Sequence, residues 1–336
     1  MDRTVRIREL TVKPGEKTNS WVKIGELADG SPLRVPLIIV NGKEPGPRIV
    51  VVACAHGDEV IGTEAIKTIA RELTPDKIKG TFIGIPILNA VAFLTGTRVD
   101  VLETPMGWND MSKMYSTAKP DGSVTERAAS FLRDEVIPQV EYYIDLHSSA
   151  VGSLNGPRAI VAGLYAKVDP VVRRRMEELA IGCGFDVIYR PESESYEGMY
   201  FRPIPFFEER GTAKIVLETG AAPTLADLDT LRNGIMGCLV EIGMVEGKPK
   251  KSRDITYCGR LSAVRANRGG IFRPYVEIGK TVKAGDKIGE ITDVFDNIVE
   301  EVVSPASGIV VKVATSAIAY TGIRLAVLAI PDNSRL

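Results

Sequence analysis

Only two histidines occur in this chain of 336 residues, and each directly follows an apolar run: His56 after "IVVVACA" and His147 after "YYIDL". Glu59 stands three residues beyond His56, and Glu218 closes a third run, "KIVLE". In an open parallel sheet, ligands bind beyond the carboxyl ends of the strands, so polar groups far apart in sequence can meet there. His56 and Glu59, at i and i+3 on a turn that opens a helix, face one side and can reach one ion. Two imidazoles and a carboxylate make a His₂Glu set, the pattern of catalytic zinc, with a fourth position left to water. Such a metal, one per chain, lowers the pKa of water and polarises a carbonyl. A separate carboxylate must then take the water's proton and return it to the leaving nitrogen, and Glu218 is the residue placed for it.

Plainer readings compete with this one. A histidine at a strand end is often a hydrogen-bonded core residue, and His-x-x-Glu alone is a weak motif; the coincidence of both histidines at strand ends favours the metal. Ser148 and Ser149 flank His147, but there is no G-x-S-x-G elbow to expose a serine nucleophile. Neither a phosphate-binding G-x-x-x-x-G-K loop nor a G-x-G-x-x-G turn occurs.

The elements that must hold these residues are legible in outline. The first 45 residues read as short strands and turns. "PRIVVVACAHGDEVIGTEAIKTIARELTPDKIKGTFIGIPILN" then reads as strand, loop, amphipathic helix from about Ile61 to Leu73, and strand, a βαβ unit implying a parallel sheet. Residues 125–137 have helical spacing, "EYYIDLHSS" is the strand after them, "VDPVVRRRMEELAIGCGF" is a helix with a solvated arginine face, and "AKIVLETG" is a further buried strand. Beyond "GKPKKSRD" the texture becomes short strands punctuated by glycine. The expectation is a catalytic α/β domain over residues 1–248 and an all-β domain over 249–336, with the cadence of a biotinyl/lipoyl-type barrel-sandwich. "DVFDNIVEEV" offers no hairpin-tip lysine for a carrier, so that domain is read as structural or gating.

A formal net charge of -1 gives no reason to expect nucleic acid or an anionic membrane as partner. No apolar run is long enough to span a bilayer, and "MDRTVRIREL" does not read as a signal peptide. Cys54, Cys183, Cys238 and Cys258 have no C-x-x-C spacing, which points to a reducing cytoplasm. A single glutamine beside many Lys, Glu and Arg residues leans towards a heat-adapted source.

"HGDE", "DLH" and "LETG", in this order and spacing, resemble the succinylglutamate desuccinylase/aspartoacylase family, relatives of the zinc carboxypeptidases, and the resemblance covers nearly the whole chain. It implies an α/β fold with a mostly parallel sheet sandwiched by helices, followed by a C-terminal β domain similar to "GGIFRPYVEIG" and "VVSPASGIV". It implies zinc on His56, Glu59 and His147, with Glu218 as general base. Asp145 shares the strand face of His147 and could orient its imidazole. "LNAVAFLTGTR" matches the segment whose arginine, here Arg98, helps polarise the scissile carbonyl, and Tyr196 falls where the family supplies an active-site tyrosine.

One departure stands out. Where the family has Asn and Arg gripping a substrate carboxylate, "NDMSKMYS" presents Ser112 and Lys113. Lysine is a point charge without the bidentate fork of a guanidinium. The expected activity is hydrolysis of the amide of a small N-acylated amino acid or amine, as a cytoplasmic enzyme that a homo-oligomeric state would suit. The rivals are a metallocarboxypeptidase acting on peptides and a non-catalytic zinc- or ligand-binding descendant. Retention of Glu218 argues against the latter, since binding alone needs no free carboxylate beside the metal.

Overall fold

The computed structural model describes residues 2–102, 110–161, 168–191, 206–248, 252 and 254–332. A small hairpin of β1 (Val5–Ile7) and β2 (Leu10–Val12) precedes the ten-residue strands β3 (Lys17–Glu26) and β4 (Pro32–Asn41). There follow β5 (Glu44–Val52), α1 (Ile61–Glu72), β6 (Lys79–Ile85), α2 (Ala90–Thr95), α3 (Val124–Phe131), β7 (Tyr142–Ser149) and β8 (Ser153–Ile160). Next come α4 (Pro170–Gly182), β9 (Val187–Tyr189), β10 (Ala213–Ala221) and α5 (Leu228–Glu241). From there the described elements are strands alone: β11 (Thr256–Arg265), β12 (Gly270–Pro274), β13 (Thr281–Val282), β14 (Lys287–Thr292), β15 (Ile298–Val303), β16 (Gly308–Ala314), β17 (Ile318–Ala319) and β18 (Arg324–Pro331).

The central strands β6, β5, β7 and β10 are parallel neighbours. Their residues are buried on both faces, which is why they read as unbroken apolar runs. Along β5 the sides alternate: Ile49 and Val51 join the core under α1, α4 and α5, while Val50 and Val52 join the core under α2 and α3. The sheet is mixed, where the sequence suggested a mostly parallel one. β8 enters antiparallel to β10, and β4 and β3 add antiparallel to β6. A βαβ crossover enforces parallel pairing, whereas the short loops joining β3 to β4 and β7 to β8 reverse the chain.

α1 covers the sheet with Ile61, Ala65, Ile66, Ile69 and Ala70, an apolar stripe at helical spacing. Its Gly62 permits the close approach, since a Cβ there would lie 2.8 Å from the Ala53 Cβ and 2.9 Å from the Leu146 Cβ. α3 starts on a capping box of Ser123 and Glu126. The helical stretch expected over 125–137 continues beyond α3 as a π turn over Leu132–Val136 and a 3-10 turn over Ile137–Gln139. α5 carries no clear helical signal, because Gly234 and Gly237 lower its propensity. Packing overrides this: a Cβ on Gly237 would sit 2.3 Å from the Gly182 carbonyl oxygen of α4.

The C-terminal strands form a separate apolar core, from Val264 to Leu328, and a four-stranded sheet of β15, β14, β12 and β17. β11 nevertheless pairs with β9 and β16 with β8, so the main sheet continues into these strands. Gly156 of β8 lies against Ile278 so tightly that a Cβ would come within 2.4 Å of its side chain.

Candidate metal centre

The chain leaves β5 through Cys54, a non-glycine residue with φ of 51°, and this left-handed turn starts the loop that carries His56 and Glu59. Backbone bonds fasten the loop to the next segment: the Asn89 amide donates to the Cys54 carbonyl at 2.8 Å and the Leu88 amide to the Ala53 carbonyl at 3.0 Å. Gly57 is required by contact, since a Cβ there would sit 1.9 Å from the Ala92 carbonyl carbon. His147 comes from the end of β7, on the same side as Asp145.

His56, Glu59 and His147 converge although 91 residues separate the two histidines, and all three are buried. His56 Nδ1 lies 2.9 Å from Glu59 Oε1, His147 Nδ1 lies 2.8 Å from Glu59 Oε2, and the two Nδ1 atoms are 3.2 Å apart. Each imidazole therefore turns its Nδ1 to a common centre. Its Nε2 meets a carboxylate: His56 at 3.2 Å from Asp110 Oδ1, His147 at 3.5 Å from Asp145 Oδ1. The donor atoms of a tetrahedral zinc site lie roughly 3.3 Å apart, given metal–ligand distances of about 2.0–2.1 Å. Two nitrogen lone pairs and a carboxylate aimed at one point repel one another unless a proton or a metal cation lies among them. The trio can hold a metal ion.

The electrostatics agree. Burial works against charge, but Asp145 and Glu59 push His147 up to about 10, and Glu59 with Asp110 raises His56. The same pairs hold Glu59 well below the usual carboxylate range despite its burial. The negative potential that favours protons on these imidazoles also favours a metal cation, which would displace those protons on binding. Asp145 is held low against its burial by Lys214, 2.9 Å away, and by His147. Lys214 is caged by aromatic rings, with its ammonium 5.0 Å from the Tyr143 centroid and 5.6 Å from that of Phe207.

The remaining predicted residues distribute as follows. Arg98 Nη1 donates to Glu59 Oε1 at 2.8 Å. Ser112 and Lys113 meet at Asp110: Ser112 Oγ donates to Oδ1 at 2.6 Å, and Lys113 Nζ lies 3.2 Å from Oδ2. Glu218 is in register with His147 on the neighbouring strand, and its Oε2 accepts from Asn155 Nδ2 at 3.2 Å and from Arg158 Nη2. Tyr196 lies outside the described residues.

Sequence reasoning missed Asp110, Asn155, Arg158 and Lys214. Asp110 and Lys214 left signals: the first lies within the "NDMSK" stretch, and the second shares one face of a buried strand with Glu218. The other two gave none.

Fold and site together define a class of protein, a sheet whose carboxyl ends present a buried His–Glu–His set able to hold a metal. Comparison with known proteins points the same way as the motifs. Residues 45–176 match the Succinylglutamate desuccinylase/Aspartoacylase catalytic domain. The N-alpha-acetyl-L-2,4-diaminobutyric acid deacetylase of Halomonas elongata is 25% identical over 269 residues, which are 77% of this chain and 74% of that protein. The same fold occurs in a succinylglutamate desuccinylase/aspartoacylase from Rhodobacter sphaeroides, with a TM-score of 0.78 at 22% identity, covering 95% of this chain and 96% of that one. It occurs also in the product-bound ectoine utilization protein of Ruegeria pomeroyi, with a TM-score of 0.77 at 19% identity, covering 94% and 95%. No helix among the described residues is long and apolar enough to cross a membrane.

Proposed function

We propose that this protein is a zinc-dependent amidohydrolase that removes the acyl group from a small N-acylated amino acid or amine. The observation that carries the reading is the convergence of His56, Glu59 and His147, each imidazole backed by a carboxylate. Partners of this kind fix the tautomer and orientation of metal-ligating histidines. The deacetylase of Halomonas elongata supports the substrate class.

In this mechanism His56, Glu59 and His147 hold the ion. Zinc there supplies a Lewis acid that polarises the scissile carbonyl and eases deprotonation of water. Glu218, beside His147 on the next strand, takes the water's proton and passes it to the leaving nitrogen. Arg98, whose guanidinium reaches Glu59, stabilises the oxyanion that develops on the carbonyl. Asp145 and Asp110 orient the imidazoles, and Ser112 and Lys113 hold Asp110 in place. Tyr196 is assigned to substrate binding on the family's pattern alone.

Residues 1–248 form the catalytic domain in this reading, and residues 249–336 the second, all-β domain; the separate core from Val264 to Leu328 supports the division. The four cysteines, all unpaired and buried, support a cytoplasmic setting.

The test is metal content of purified protein, wild type beside His147→Ala, scored with hydrolysis of a panel of N-acyl amino acids and N-acyl amines. About one zinc per chain, lost in the variant together with activity, is expected. Wild-type protein that takes up no metal from a zinc soak would sink the reading.

A further inference from the structure

A second cluster of polar side chains lies beside Glu218, on the seam that joins β8 to β16. β8 and β16 are paired so that Lys312 stands opposite Asn155. A shift in the β8–β10 register brings both Asn155 and Arg158 onto Glu218, which accepts a hydrogen bond from each. Arg158 also crosses the seam, donating through Nη1 to the Val311 carbonyl at 3.1 Å. Arg158 and Asn155 are buried, yet Arg158 Nε and Asn155 Oδ1 have no hydrogen-bond partner among the described residues.

Positive charge gathers around Lys312. The half-buried Lys312 ammonium is exposed to the fields of Arg158 on β8, Arg324 on β18 and Arg98 beyond α2, with Glu218 on β10 as the opposing carboxylate. Burial, together with these arginines and against the pull of Glu218, pushes Lys312 down to about 8. Gathering cations away from water is costly, and the cost is offset when an anion binds among them. Arg158 and Lys312 are also anchored on adjacent strands, so their separation is fixed.

We propose that Lys312 and Arg158 form the subsite that receives a carboxylate of the substrate beside Glu218. The substrate is then an N-acyl amino acid with a free carboxylate, not a simple N-acyl amine. The C-terminal β strands thereby take part in recognition through Lys312, beyond a structural or gating role. This inference rests on the amidohydrolase reading.

The experiment compares N-alpha-acetyl-L-2,4-diaminobutyrate, the compound named for the Halomonas elongata relative, with its decarboxylated analogue. Both are assayed on zinc-loaded wild type, Lys312→Met and Lys312→Arg. Loss of one charge-assisted contact is expected to raise KM for the acid roughly 10- to 100-fold in Lys312→Met, with kcat and zinc content little changed. The loss of kcat/KM in Lys312→Met should be much larger for the acid than for the analogue, and Lys312→Arg should recover most of the loss for the acid. Wild-type KM for the acid should climb as pH passes about 8, where Lys312 loses its proton, while that for the analogue should not. Equal loss on both compounds, or no loss on either, would overturn the proposal, as would a wild type that prefers the analogue. If neither compound is hydrolysed, calorimetric titration of the free amino acid and of the free amine separates the two claims. Binding of the acid alone, weakened in Lys312→Met, keeps the subsite and fails the amidohydrolase reading; equal or absent binding of both rejects the subsite.

Discussion

Glu218 and His147 stand directly opposite each other on the adjacent parallel strands β10 and β7. Paired positions on neighbouring strands share a face and lie about 5 Å apart at the backbone. The sheet itself therefore sets the spacing between a candidate base and a candidate metal ligand, with no loop involved. Glu218→Gln keeps the shape and removes the base. It should retain zinc and lose roughly 10²- to 10⁴-fold in kcat, measured by metal analysis and steady-state kinetics on the same preparation. Unchanged kcat with zinc in place would remove Glu218 from the mechanism.

In the proposed site, Asp145 would act on the metal through His147. Replacing it with Asn leaves Lys214 without its anionic partner and weakens the orientation of the imidazole. Zinc affinity of Asp145→Asn should fall roughly 10- to 100-fold, read by competition with a chromophoric chelator. Affinity equal to wild type would leave Asp145 a structural residue only.

Glu208 is a fully buried carboxyl with no side-chain hydrogen-bond partner among the described residues. Burial, partly countered by Lys214, raises it from 4.5 to about 7. Between these values the folded protein keeps a proton that the unfolded chain has released, so stability falls as pH rises through that window and levels off above it. Glu208→Gln should abolish this slope and be the more stable protein at pH above about 7, by on the order of 3 kcal/mol. Parallel denaturation curves for both proteins across the window would rule the effect out.

Gly57 touches the backbone of α2 so closely that even a methyl group must displace the loop bearing His56 and Glu59. Gly57→Ala should cost about 1–3 kcal/mol of stability and weaken zinc binding as well. Thermal unfolding with and without added zinc measures both; a variant with wild-type stability and affinity would show that the loop yields freely.

Much of this protein was written in local sequence. "HGDE", "DLH" and "LETG" each follow an apolar run: His56 lies just past the end of β5, and His147 and Glu218 lie in the last few residues of β7 and β10. α1 declared itself through its apolar stripe and α3 through its helical spacing. α5 did not, because its glycines serve a contact with α4 that exists only once both helices are packed. The mixed direction of the sheet was equally hidden, since β8 pairs with β10 and not with β7, the strand it follows.

The sequence by itself determined the donor chemistry of His56, Glu59 and His147, the trio that can hold a metal, because residue type and spacing act locally. Tertiary structure alone decided what surrounds that trio. Asp110 reaches His56 across 54 residues, Arg158 reaches Glu218 across 60, and the Arg158 contact to Val311 spans 153. Those meetings depend on strand order and register, which are global properties of the sheet. A lysine in a β-rich tail, such as Lys312, carries no local mark of the site it borders; only the pairing of β16 with β8 brings it there.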